Sequence, residues 1–243
     1  MNVIINRVIL IFASFFMVAA PLSAHSVAPL RLDFAPSGQD AIQQIRIENP
    51  GSKPVTLSIS VIAGIVQPDG SVEETPADDQ FLIFPPQMIV QPQKTQLVQV
   101  RYVGDPTITE GQMFYIRTAQ VPVDLAGGGE GQGNIKVGID YVTAAEVAPS
   151  GSEANLTIAS FEPGDDGVTV VVANSGDAHG LLSNTGLEIV GQAGSLQLAL
   201  SEIDLGQTRR VPPNGQRHLP VPASLLQSVG TIERVALVPT DNQ

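Results

Sequence analysis

The chain has 243 residues, 43% hydrophobic and 15% charged, which suits one or two globular domains rather than a disordered or fibrous chain. It holds 12 Lys+Arg against 24 Asp+Glu, so a net charge of -12 argues against nucleic-acid binding by phosphate neutralisation. With no cysteine and only His25, His179 and His218, it has no material for disulfides, thiolate metal sites or a Cys nucleophile, and little for His chemistry.

The N-terminus reads as an address. Arg7 precedes the apolar run Val8–Ala20, and Pro21-Leu22-Ser23-Ala24 supplies a small-residue cleavage site. This is the three-part pattern of a secretory signal peptide, residues 1–24, cut after Ala24. The alternative is a retained anchor, but the run is shorter than the ~20 residues a spanning helix needs. After cleavage no membrane span is expected, and the destination is the periplasm or the outside.

From residue 25 onward the predicted elements are short strands. They run Val27–Phe34, Ile42–Asn49, Val55–Val66, Met88–Val90, Thr95–Val103, Met113–Val121 and Ile135–Val142. After Pro149 come Ala154–Phe161, Gly167–Ala173, Leu187–Val190, Leu196–Leu198, Arg217–Val221 and Thr231–Pro239. Turn signals such as Asn49-Pro50-Gly51, Pro68-Asp69-Gly70 and Asn174-Ser175-Gly176 separate them. Gln96–Tyr102 alternates cleanly, predicting one buried and one solvated face. Many short strands at this spacing predict an all-β chain of sandwiches or barrels. A linker at 144–152 (AAEVAPSGS) divides the exported chain into 25–143 and 153–243, each the size of an immunoglobulin-like sandwich. The Gly-rich stretch Ala126–Asn134 reads as a loop.

Motifs for catalysis are missing. Gly127–Gly133 lacks the Gly-Lys-Ser/Thr of a phosphate loop, and no G-x-S-x-G or H-E-x-x-H occurs. Asp78-Asp79 and Asp165-Asp166-Gly167 lack the carboxylate spacing of a calcium loop and read as solvated turns. His179 sits in a turn without a nucleophile to serve. An enzyme is therefore the disfavoured class, and no metal or cofactor is expected.

Three segments, in order, carry a resemblance. The first is Leu30-Arg31-Leu32-Asp33-Phe34 with Ile45-Arg46-Ile47-Glu48-Asn49-Pro50-Gly51. The second is Phe81–Pro86 followed by Val90–Arg101. The third is Met113-Phe114-Tyr115-Ile116-Arg117 leading to Val121-Pro122, and Val172–Asp177 with Val211–Gly215 adds to it. Together they are similar to a divergent branch of the periplasmic pilus (fimbrial) assembly chaperones of the chaperone–usher pathway. The resemblance implies two immunoglobulin-like sandwiches in a boomerang. It implies a non-enzymatic protein that lends an edge strand to pilus subunits by β-augmentation and delivers them to an outer-membrane usher. It further implies two basic side chains that grip the subunit's terminal carboxylate.

Carried over residue by residue, Arg31 matches the first anchor. Lys136 matches the second if Tyr141 is the aromatic that closes the donor strand. Arg101 and Arg117 are reserves on neighbouring strands. The donor residues are then Ile135, Val137, Ile139 and Tyr141. Two departures stand out. Gly127–Gly133 falls where large apolar donor residues belong, so either the donor strand is shifted to 135–141 or Val121, Val123 and Leu125 contribute. Alternatively, all of these fill their own core. The strong negative charge also departs from the family, which a basic subunit or surface drift would explain. The competing reading is a secreted immunoglobulin-like structural or adhesive protein, since fold does not fix function. A carbohydrate-binding module is disfavoured by the absence of Trp and the presence of only three Tyr.

Overall fold

The computed structural model describes residues 25–121 and 138–239. The expected signal segment 1–24, the stretch Ala126–Asn134 and the candidates Ile135, Lys136 and Val137 lie outside the described residues.

Proline decides how the chain enters the fold. β1 (Ser26–Ala28) pairs antiparallel with β3 (Ile42–Asn49). Pro29 has no N–H to continue that ladder, and the chain crosses to the opposite sheet as β2 (Arg31–Phe34). The single strand expected over Val27–Phe34 is thus two, in different sheets. β3 continues to β8 (Lys94–Tyr102) and then to β6 (Phe81–Phe84), closing a four-stranded sheet. Facing it, β2 pairs parallel with β10 (Tyr141–Val147). Beyond β10 lie β9 (Gln112–Gln120), β4 (Val55–Val66) and β5 (Val72–Pro76), while β7 (Gln87–Val90) pairs with the start of β4.

Alternation places the core between these sheets. On β8, Val98, Val100 and Tyr102 are buried while Leu97, Gln99 and Arg101 face out, as the pattern predicted. Ile45, Ile47, Leu57, Val61 and Ile116 are fully buried, each contributing roughly 1.5–3 kcal/mol. Phe81 sits edge-on to Phe34, Tyr102 and Phe114 with ring centroids 5.0–5.5 Å apart.

A second core forms further along the chain. β11 (Leu156–Gly164), β12 (Gly167–Asn174) and β17 (Gln216–Pro222) make one sheet. β14 (Thr185–Gly191), β15 (Gly194–Ala199) and β18 (Ile232–Pro239) make the other, and β13 (Gly180–Leu181) pairs with β16 (Arg210–Val211). Val170, Val172, Leu187, Ile189 and Leu219 fill the space between them. The architecture is all-β, two sandwiches in succession.

The boundary differs from the sequence reading in one respect. Residues 144–147, assigned to a linker, complete β10. Ala145 and Val147 belong to the first core and Glu146 is buried at the junction, so small and charged residues here are structural rather than solvated.

Both sandwiches close a strand end with the same device. Asn49, 1% exposed, donates to the carbonyls of Lys53 and Val90 and accepts from Gly51 N–H. Asn174, 2% exposed, donates to the carbonyls of Ala178 and Pro212 and accepts from the N–H groups of Asn155 and Gly176.

The first sandwich also reaches into the second. The Gln67–Gly70 turn gives its carbonyls away: Pro68 O accepts from His218 N–H at 2.7 Å, and Gly70 O accepts from Gln207 N–H at 2.9 Å. Gly70 has φ +88° and lies against the Arg217 guanidinium and the Leu205 carbonyl, so a Cβ has no room there. Arg217 is itself fully buried, donating to the carbonyls of Thr208, Arg210 and Leu205.

Asn174→Ala strands several buried polar groups at once. It is expected to lower the unfolding free energy by about 1–3 kcal/mol, read as a shifted urea midpoint with unchanged slope.

Candidate functional site

The site is built on β10. Parallel pairing with β2 sets Arg31 beside Ala144 and Asp33 beside Glu146. Antiparallel pairing with β9 sets Arg117 beside Val142 and Tyr115 beside Ala144. Side chains of directly paired residues project to the same face. Arg31, Arg117, Tyr115 and Val142 therefore share the outward face, with the two cations on opposite sides of β10.

Each cation already holds a carboxylate. Arg31 Nε and Nη2 donate to Asp33 Oδ1 at 3.2 and 3.1 Å. Arg117 Nε and Nη2 donate to Asp140 Oδ2 at 3.1 and 2.5 Å. Asp140 Oδ1 also accepts from Gln120 N–H at 3.1 Å. These hydrogen bonds, Arg117's foremost, hold the Asp140 carboxyl below the usual carboxylate range.

One edge of β10 is open. β2 begins to pair only at Ala144, and among the described residues no other strand pairs on that side. Ahead of Ala144, Val142 is 52% exposed and Ile139 39% exposed. On the other side of the strand lies a cleft of about 690 Å³, lined by Ile62, Val72, Glu74, Tyr115, Arg117, Asp140, Val142 and, from the second sandwich, Gln207. A smaller hollow of about 470 Å³ adjoins Arg31, with Gln43, Glu146, Ser152 and His179 in its wall.

Glu146 fixes the second sandwich against this face. Its Oε2 accepts from Arg210 Nη1 at 2.5 Å. Its Oε1 accepts from His179 N–H at 3.0 Å and lies 3.2 Å from His179 Nδ1. Arg31 Nη2 stands 3.9 Å from Oε2, which ties the junction to the candidate site. Burial, the largest single influence, opposes ionisation of Glu146. The hydrogen bonds from His179 and the charge and hydrogen bond of Arg210 together outweigh it and bring the carboxyl down to about 2. Flanking bonds reinforce the junction: Gly111 N–H donates to Asp177 O at 2.7 Å, and Asn214 Nδ2 donates to Glu110 Oε1 at 2.9 Å.

The expected residues fare differently. Arg31, the anchor candidate carried over by resemblance, stands on the outward face of β2, about half exposed. Ile139 lies in the irregular segment leading into β10 rather than within a strand over Ile135–Val142. Tyr141 opens β10 instead of closing it. Its ring packs on the first core edge-on to His25, and its hydroxyl donates to His25 O at 2.5 Å. Arg101 points out from the opposite sheet, whereas Arg117 joins Arg31. The sequence does not single out Asp140 and Arg210, and it marks His179 only as a turn residue and Glu146 only as linker, because their partners are distant in the chain.

No family's sequence pattern and no curated protein matches this chain. Solved structures do match. They include the class 5 fimbriae chaperone CfaA, with a TM-score of 0.58 and 11% identity over 90% of this chain and 100% of that one. The SafB chaperone, solved in complex with the SafA pilin of Salmonella enterica, matches with a TM-score of 0.57 and 16% identity, covering 91% of this chain and 98% of that one. The periplasmic chaperone SfaE matches with a TM-score of 0.50 and 11% identity, covering 89% of this chain and 99% of that one. The chain shares the fold of these fimbrial chaperones along nearly its whole length. No helix among the described residues is long and apolar enough to cross a membrane.

The Glu146 carboxyl sits near 2 in the folded chain against 4.5 ordinarily. Its ionised contribution is therefore complete above pH 4.5 and is lost as pH falls from there toward 2. The full effect is on the order of 3 kcal/mol. Glu146→Gln is expected to flatten this acid arm of a stability–pH profile measured by urea unfolding.

Proposed function

We propose that the protein is a divergent periplasmic pilus-assembly chaperone: it binds, stabilises and delivers fimbrial subunits and performs no catalysis. The observation that carries the reading is the open edge of β10 with arginines on both flanks, in a chain that shares the fimbrial chaperones' fold. An unpaired strand edge offers main-chain donors and acceptors to a sheet that lacks a strand. Ile139 stands just ahead of that edge, and Ile135 and Val137 continue the apolar alternation upstream. These, with Tyr141 at the strand's start, are the donor residues of the proposal.

The cations supply orientation. A subunit's terminal carboxylate takes charge-assisted hydrogen bonds from Arg31 on one side of β10. The second cation is Lys136 or Arg117. Arg117 has the support of register, since it lies beside Val142 on the same outward face as Arg31. The outer-membrane usher is the partner that receives the loaded subunit, and cleavage after Ala24 releases the chain into the periplasm. Nothing in this role calls for a cofactor or nucleic acid.

The test is co-purification of the tagged protein from periplasm under piliating conditions, with partners identified by mass spectrometry. A stoichiometric secreted subunit is expected. Loss of one charge-assisted bond, about 1.5–3 kcal/mol, weakens binding about 10- to 100-fold. Arg31→Ala should therefore deplete the subunit while the circular dichroism of the chaperone is unchanged. Arg31→Ala combined with Lys136→Ala should abolish recovery, and full yield from that pair would remove the anchor assignment. A partnerless monomer would favour a secreted structural or adhesive protein.

A further inference from the structure

Arg117 is a cation of the cleft, yet its guanidinium is already engaged. Asp140 grips Nε and Nη2 through one oxygen and the Gln120 N–H through the other. Gln120 returns the contact, its Oε1 accepting from Ile139 N–H at 3.4 Å. Asp140 thus does two things: it fills the carboxylate position on Arg117, and it ties the segment 138–140 down to the end of β9. That segment leads directly into the open edge of β10. Both side chains are accessible, Arg117 being 50% and Asp140 35% exposed. The cleft beside them has room for a side chain and is walled by Ile62, Val72, Tyr115 and Val142, with Glu74 and Gln207 as its other polar lining residues.

Resting on the chaperone reading, we propose that Asp140 is an internal stand-in for the client's terminal carboxylate, displaced from Arg117 when a chain end with a bulky apolar or aromatic last residue enters the cleft. Displacement does more than exchange one carboxylate for another. It also breaks the tether on 138–140, so recognition of a free chain end frees the segment that precedes the donor edge. The exchange is feasible because the pair is solvent-accessible, where such ion pairs contribute only about 0.2–1 kcal/mol. A buried pair such as Glu146–Arg210 would not give way. Selectivity follows from charge: a chain interior has no carboxylate to offer, so it gains the apolar wall but leaves Asp140 in place.

The exchange is testable on the exported chain alone, by NMR of 15N-labelled protein. The probes are N-acetyl-tyrosinate, a minimal chain end, and N-acetyl-tyrosinamide, its uncharged counterpart. The acid is expected to shift the Arg117 Nε–H, Gln120 and Ile139 signals saturably, and the amide to leave them in place. Asp140→Asn, which keeps an acceptor for Gln120, should tighten the acid about two- to fivefold and speed hydrogen exchange at 138–140. Arg117→Gln should erase the difference between the probes. Equal shifts from both probes, no shift at these three signals, or Asp140→Asn binding no tighter than wild type would overturn the proposal. Subunit co-purification is read separately, so a chaperone that recovers its subunit but fails here keeps its function without the Asp140 exchange.

Discussion

One buried carboxylate sets the relation between the two halves of the molecule. Glu146 lies at the far end of β10, on the same outward face as Arg31 and Arg117, and the second sandwich grips it there through Arg210 and His179. Taking a carboxylate out of water costs several kcal/mol, a cost that the His179 hydrogen bonds and Arg210 together outweigh. What the contact fixes is geometry. A strand is rigid, so fastening its end fixes where the second sandwich stands over the face that carries the cations. Gln207 then reaches the wall of the 690 Å³ cleft.

The same strand explains why the two cations come together although neither is on it. Arg31 precedes Arg117 by most of the first sandwich, and register alone places them on either flank of β10. Parallel pairing on one side and antiparallel pairing on the other are both needed. The parallel pairing exists because Pro29 ends β1 and sends the chain across the sandwich. A slip of one residue in either ladder would turn the corresponding arginine into the core, so burial of Leu32 and Ile116 on the neighbouring positions holds the register.

Much of the fold was legible in the sequence because alternation reports burial directly. Val98, Val100 and Tyr102 lie inside as their pattern required, and turn dipeptides such as Pro50-Gly51 end strands where expected. The outward placement of Arg31, which the resemblance singles out, follows from alternation with the buried Leu32 and Phe34. The region around β10 was not. The alternation of Ile135, Val137, Ile139 and Tyr141 suggested a strand ending near Val142. The strand instead starts at Tyr141 and runs on to Val147 through small and charged residues that look like linker. Ala144 and Glu146 read as linker, since nothing local shows that a second sandwich covers Glu146. Its partners are 33 and 64 residues away. The Arg117–Asp140 pair, 23 residues apart, escaped notice for the same reason.

The turn at Gln67–Gly70 bears on how freely such a molecule can be rebuilt. Its carbonyls satisfy N–H groups that belong to the other sandwich, and Gly70 fits where no side chain could. Severed from its neighbour, the second sandwich would present the Gln207 and His218 amides to water as a raw edge. The two halves therefore do not behave as interchangeable modules on a string. A chimera that grafts either half onto a relative's inherits a mismatched seam unless this turn and its acceptor loop travel together. Heritable change at the seam has to be concerted, which confines drift in that loop far more than its exposed position would suggest.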